Sequence, residues 1–356
     1  MLSVIIPTFN RCRTLKETTQ PLLEVKGDDI EFLIIDNSSE DETASVVESL
    51  REVDARFKYI RNVQNLGLSR SIFRAVLDAK YDQILFFSDE DGIKPEYINK
   101  VAAIWNQNPE LGAVIPEEPV KRRNDFKKIC LAAEDECGFM MSSGTYAGYL
   151  AYMQSAYIGG IGFNRKAIDF SLMPVDNVSY PQRFFCSTAA WSAGVYVFVK
   201  QDLVHLAKFN AKAKGGSGSG RWGDRGLVES LNNADLLLRS HSKEKLSPDQ
   251  VNVLRKLMYF HTYTRFPAYF SVACAGGHET AYEFYETIIS NDQFSKSYDF
   301  WSLLNRISSE KFSKLEVCEL ERCHSRFFDE ITRSRRRQFN QRFATFGLSK
   351  PNKSES

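Results

Sequence analysis

The chain has 356 residues, of which 43% are hydrophobic, and a formal charge of +1 at pH 7. That length accommodates one large α/β domain with an appendage or two domains, and the near-neutral balance excludes steering to nucleic acid by a global field. Seven scattered cysteines without a CxxC pair exclude a disulfide framework or a zinc-finger spacing and suit a reducing cytosol.

The first residues, "MLSVIIPTFNRCR", carry too short an apolar run, without a basic flank, to read as a signal peptide. No stretch reaches the roughly 18 apolar residues of a membrane span. "LSVIIP" (2–7), "EFLIID" (31–36), "FKYIRN" (57–62), "QILFFS" (83–88) and "GAVIP" (112–116) read as strands. Between them, "RTLKETTQPLLEV", "EDETASVVESLREV", "LSRSIFRAVLDAK" and "PEYINKVAAIWNQ" show helical apolar spacing. Strands apolar on both faces between amphipathic helices predict an α/β protein with a Rossmann-like, doubly wound, mostly parallel sheet. From 117 to 205 the pattern is less regular, with strands expected in "YIGGIGFNRKAI" (157–168) and "GVYVFVKQDLVHL" (194–206) around a helix. Residues 211–226, "AKAKGGSGSGRWGDRG", read as a flexible Gly/Ser-rich loop, 227–346 as a helical C-terminal extension and 347–356 as a disordered tail.

Ligands of such sheets bind at the carboxyl ends of the strands, which directs attention to "PTFN", "DNSS" and "SDED". A carboxylate at Asp36 accepts a hydrogen bond from a nucleobase imide or a ribose hydroxyl, or else caps the next helix. Asp89, Glu90 and Asp91 follow the fourth strand directly. At about 5 Å and an effective dielectric of about 20, each like-charged pair costs roughly 3 kcal/mol. A solvated turn tolerates this, whereas Mg²⁺ or Mn²⁺ reverses it, since three carboxylates form a hard-oxygen site.

"SVIIPTFNR", "FLIIDNSSEDET", "NLGLSRS" and "ILFFSDEDGIKPEYI", in this order, resemble the family 2 glycosyltransferases of the GT-A fold. The resemblance is close over 2–115 and thinner to about 206. It implies a catalytic domain over 1–210, with a nucleotide-sugar half (1–115) and an acceptor half (116–210). It implies a bacterial hexosyltransferase-type enzyme that moves a sugar from a nucleoside-diphosphate sugar, UDP-linked, to a carbohydrate or lipid-linked saccharide in surface polysaccharide or glycolipid synthesis. By the same resemblance Pro7, Thr8 and Asn10 lie near the nucleotide and Asp36 holds the base. Asn65, Gly67 and Arg70 flank the nucleotide and sugar, and Asp89 and Asp91 form the Asp-x-Asp metal element. Measured from Pro95, the family's second metal aspartate falls on Glu90, so the pair that ligates stays open. A histidine in this region completes the metal site in some GT-A enzymes, which makes His205 a candidate ligand beside its reading as an ordinary hydrogen-bonded residue.

Inverting members carry an acid about a dozen residues before the glycine that precedes the last core strand. Counting back from Gly194 reaches Gln182 and Arg183, and neither can act as a general base. Asp169, Asp176 and, across the flexible loop, Asp224 are the remaining acids nearby, with Asp224 and Asp176 the candidates; Asp224 is favoured because glycine-flanked segments often close over a substrate. Trp222 is placed to stack on an acceptor sugar, and Gly160 either floors the sugar site or permits close strand packing. In the tail, phenylalanines alternate with arginines over 325–346. That basic amphipathic helix either lies on an anionic membrane surface or packs on the catalytic domain. The location implied is cytoplasmic, peripheral on the inner face of the plasma membrane in the first case. A sugar-nucleotide pyrophosphorylase would need a glycine-rich loop that "PTFNRCRT" lacks, and a nucleic-acid partner is not expected. A degenerate, non-catalytic GT-A protein stays open because the base is displaced.

Overall fold

The fold is seen in a computed structural model, which describes residues 1–89, 92, 94–116, 131–155, 158–170 and 180–199. In chain order the strands are β1 (Leu2–Thr8), β2 (Ile30–Asp36), β3 (Phe57–Arg61), β4 (Gln83–Phe86) and β5 (Ala113–Pro116), then β6 (Leu131–Glu134), β7 (Gly138–Met141), β8 (Gly162–Asn164) and β9 (Val195–Phe198). The helices are α1 (Cys12–Thr19), α2 (Thr43–Val53), α3 (Leu68–Asp78), α4 (Pro95–Gln107), α5 (Thr145–Gln154) and α6 (Pro181–Ala193).

All five strands and four helices expected in the first half are present. The first helical stretch is divided: after Thr19 the chain tightens into a 3-10 turn over Gln20–Glu24, because Pro21 has no N–H to continue an α-helix. Pro95 instead opens α4 in its first turn, where that missing donor costs nothing. The hairpin β6–β7 and helix α5 are additions that the irregular stretch gave no warning of.

One sheet contains all nine strands in the order β3-β2-β1-β4-β8-β5-β9-β7-β6. β1 to β4 are mutually parallel, as are β5 and β9, while β8 sits antiparallel between the two blocks. β7 is antiparallel to both β9 and β6, so only β7 and β8 run against the rest. β1 and β2 are buried at every position, as strands covered by helices on both faces must be. One core layer joins Val4, Ile6, Phe32 and Ile34 to Tyr97, Ile98 and Val101 of α4. On the α6 side, Phe185 stacks on Phe163 at 4.8 Å and meets Phe73 edge-on at 5.3 Å. Gly112 and Gly162 allow this closeness: a Cβ would stand 1.9 Å from the Ala189 carbonyl oxygen and 2.6 Å from that of Ile84. No helix among the described residues is long and apolar enough to cross a membrane.

Candidate active site

Thr8 lies opposite Asp36 and Ile5 opposite Phe86, so the segments leaving β1, β2 and β4 emerge together at one edge. The first two are laced to each other. Asn10, in the left-handed region at φ 52, donates its amide to Ser39 Oγ at 2.8 Å and accepts from the Glu40 amide at 2.8 Å. Two residues on, the Cys12 amide donates to Asp41 at 2.9 Å. Burial alone would raise the Asp41 pKa, but this bond and those from Thr43 outweigh it and hold the carboxyl below its ordinary value. Pro7 and Thr8 are buried strand residues, and the Thr8 hydroxyl has no hydrogen-bond partner among the described residues.

Asp36 is fully buried. Its Oδ1 accepts from the Ser39 amide at 2.8 Å and the Ser39 hydroxyl at 2.5 Å, and its Oδ2 accepts from the Tyr59 hydroxyl at 2.6 Å. Arg61 Nε stands 3.8 Å from the same Oδ2. Beside it Asn37 organises the following loop: its Oδ1 accepts from Asn62 Nδ2 at 3.0 Å, the Leu66 amide at 2.8 Å and Ser71 Oγ at 2.9 Å. Asn37 Nδ2 donates to Asn65 Oδ1 at 2.6 Å, which also accepts from the Gly67 amide at 2.9 Å. Asn65 therefore shapes the loop through its side chain. Gly67 has φ 79 and open space where a Cβ would point, so it is backbone conformation that requires glycine here. Arg70, in the first turn of α3, is exposed.

Asp89 is buried, and its Oδ1 accepts from Arg11 Nη1 at 2.8 Å. Glu90 and Asp91 lie outside the described residues, as do Asp176, His205, Trp222, Asp224 and the expected C-terminal helical extension. Among the described residues no three His, Cys, Asp or Glu side chains converge. The donor set described is thus one carboxylate, and Mg²⁺ or Mn²⁺ typically takes one or two with substrate phosphates completing the shell. Asp89 is the carboxylate of the expected metal element that the described residues include, and its Oδ1 is paired with Arg11.

Gly160 is buried, with φ 78; its amide donates to the Phe86 carbonyl at 2.8 Å, and its carbonyl accepts from the Tyr97 hydroxyl. It packs against the end of β4. Gln182 and Arg183 lie in the first turn of α6, both buried, and the Arg183 guanidinium faces the rings of Tyr152 at 4.9 Å and Tyr180 at 5.6 Å. The position counted for the base therefore holds a cation packed between aromatic rings. Sequence reasoning passed over Arg11, Ser39, Tyr59, Asn62 and Ser71, which with Asn37 hold the named residues in place.

Residues 3–152 match the family model described as glycosyl transferase family 2. Over that stretch the chain is similar to the family 2 glycosyltransferases. A GalNAc(5)-diNAcBac-PP-undecaprenol beta-1,3-glucosyltransferase of Campylobacter jejuni is 35% identical over 92 residues, 25% of this chain and 29% of that protein. A putative glycosyltransferase, EpsH, of Bacillus subtilis is 25% identical over 57% of this chain and 60% of its own length. The chain spans 29% to 41% of the first curated relatives it matches. Among solved structures, S. aureus TarS 1-349 in complex with UDP has a TM-score of 0.54 at 14% identity, covering 82% of this chain and 89% of that one. That likeness carries the fold, and it is the expected GT-A fold.

Proposed function

We propose that this glycosyltransferase is metal-dependent and transfers a sugar from a UDP-linked donor to a carbohydrate or lipid-linked saccharide hydroxyl, in bacterial surface polysaccharide or glycolipid synthesis. The observation that carries this reading is the buried Asp36 carboxylate at the carboxyl end of β2, on the edge where the Asn10–Ser39 lacing and the Asp89–Arg11 pair also lie. A buried carboxylate with polar loops around it suits the imide edge of a base, and an acidic element with arginines suits a diphosphate. Two names support it: the Campylobacter relative acts on an undecaprenol-linked saccharide, and TarS is solved with UDP and with UDP-GlcNAc.

In this reading Asn10 and Ser39 shape the nucleotide pocket, while Arg11 orients Asp89 beside the diphosphate. The Asn37 network fixes the turn that presents Arg70. Mn²⁺ or Mg²⁺, when bound, would offset the charge of the departing diphosphate, usually the dominant electrostatic contribution in such transfers. A thermal-shift series of nucleoside diphosphates and their sugars tests it. Stabilisation by a uridine nucleotide that needs Mn²⁺ is expected, and the same melting temperature with every nucleotide would overturn the reading.

Asp224 or Asp176 is the proposed base. Replacing the right one by Asn abolishes turnover and leaves donor affinity intact; unchanged turnover in both variants rejects the pair. The buried Gln182 and Arg183 favour a second reading, a protein that binds donor without transfer. Donor hydrolysis with Mn²⁺ separates the two, since the second reading requires none.

A further inference from the structure

We propose that Tyr59 is a gate on the nucleobase site: its hydroxyl occupies the Asp36 oxygen that a donor's base has to reach, and the base binds by displacing it. This rests on the donor reading above. Parallel pairing sets Tyr59 opposite Ile34 and Arg61 opposite Asp36. The two-residue period of a strand therefore puts Tyr59, Arg61 and Asp36 on one face. Both carboxylate oxygens are already engaged, Oδ1 by Ser39 and Oδ2 by Tyr59 at 2.6 Å. Asp36 is 0% exposed, so no ligand reaches it in this arrangement. Tyr59 is only half-buried, and its strand is the edge of the sheet, which leaves it the movable member of the pair. Burial, and then the bond to Asp36, push its hydroxyl pKa well above the phenol range, so it donates at every physiological pH.

The chemistry of the exchange is selective. An ionised carboxylate only accepts. Uracil N3–H and guanine N1–H replace the tyrosine bond one for one, whereas cytosine N3 and adenine N1 are acceptors that repel the carboxylate at that ring position and leave only an exocyclic amino group to donate. The gate thus sharpens base choice, because an incoming base must match the bond it breaks.

Calorimetric titration of UDP, GDP, CDP and ADP with Mn²⁺, into the full chain and its Tyr59→Phe variant, tests the gate. Removing the hydroxyl is expected to tighten binding of UDP or GDP about tenfold, the scale of one hydrogen bond to a charged group. CDP and ADP bind both proteins alike. In an Asp36→Asn background the gain falls below about threefold, as coupled residues require. A second readout uses the unaltered protein: a downfield tyrosine hydroxyl proton signal in its NMR spectrum disappears on saturation with UDP. Equal or weaker UDP and GDP binding by the variant, or persistence of that proton signal, overturns the gate alone. Failure of every nucleotide to bind either protein overturns the donor reading and the gate together.

Discussion

Residues 2–116 and 131–199 build one sheet by different means. In the first region polar side chains reach across strand ends: Asn37 ties β2 to Asn62, Leu66 and Ser71, and Asn10 ties the loop after β1 to Ser39. In the second region close approach dominates, through the Phe163–Phe185 stack, the Ala189 backbone closing on Gly112 of the first region, the fit of Gly162 against the Ile84 carbonyl, and a buried Arg183 facing two tyrosine rings. Hydrogen-bond networks fix directions, so the first region holds side chains to the geometry that recognition needs. Tight apolar packing fixes distance alone, which suits a wall.

Substitutions can break this contrast. The largest effect is expected from Gly112→Ala, whose Cβ would stand 1.9 Å from the Ala189 carbonyl. A loss of about 3 kcal/mol or more is expected in the urea midpoint, with nucleotide affinity of the folded fraction unchanged. Asn37→Ala strands several buried groups and should cost about 2 to 3 kcal/mol. It should also weaken UDP binding, because the loop carrying Gly67 and Arg70 loses its anchor. If binding were unaffected, the first region would be a scaffold like the second.

Acid sensitivity is a smaller and shared effect. Hydrogen bonds from Arg56 hold the Asp54 carboxyl below its ordinary value against an opposing burial effect. At Asp135 burial pushes upward, and bonds from Tyr196, Cys137 and Gly138 outweigh it. A depressed folded pKa gives stability that is complete above the unfolded value, about 3.9, and is lost as pH falls through the folded one. The urea midpoint should therefore drop below about pH 4, and Asp54→Asn or Asp135→Asn should each flatten that limb. The smallest effect belongs to Val63, 99% exposed, where Val63→Ser should stay within about 0.5 kcal/mol.

Much of the first region was legible because its strands and helices have clean periods and its strand ends carry polar residues in a recognisable order. Helix α5, "TYAGYLAYMQ", was not: its glycine, alanines and tyrosines give no contrast between faces, and residues 147–152 are all buried. The partners of the site were hidden for another reason. Tyr59 meets Asp36 only through the register of β2 with β3, and Arg11 meets Asp89 across 78 residues. Spacing along the chain reports neither. At the position counted from Gly194 the sequence itself already shows no acid, and the structure adds that Gln182 and Arg183 lie buried in the first turn of α6.

The antiparallel β8 also sets an order of assembly. β1 to β4 pair with one another within the first 86 residues, but β4 and β5 have no direct pairing and wait for Gly162–Asn164 to fill the slot between them. Closing contacts across some eighty residues of chain is slow relative to local pairing. On a chain emerging from the ribosome, β1 to β4 are expected to come together first, and the sheet to be sealed only after the eighth strand has been made.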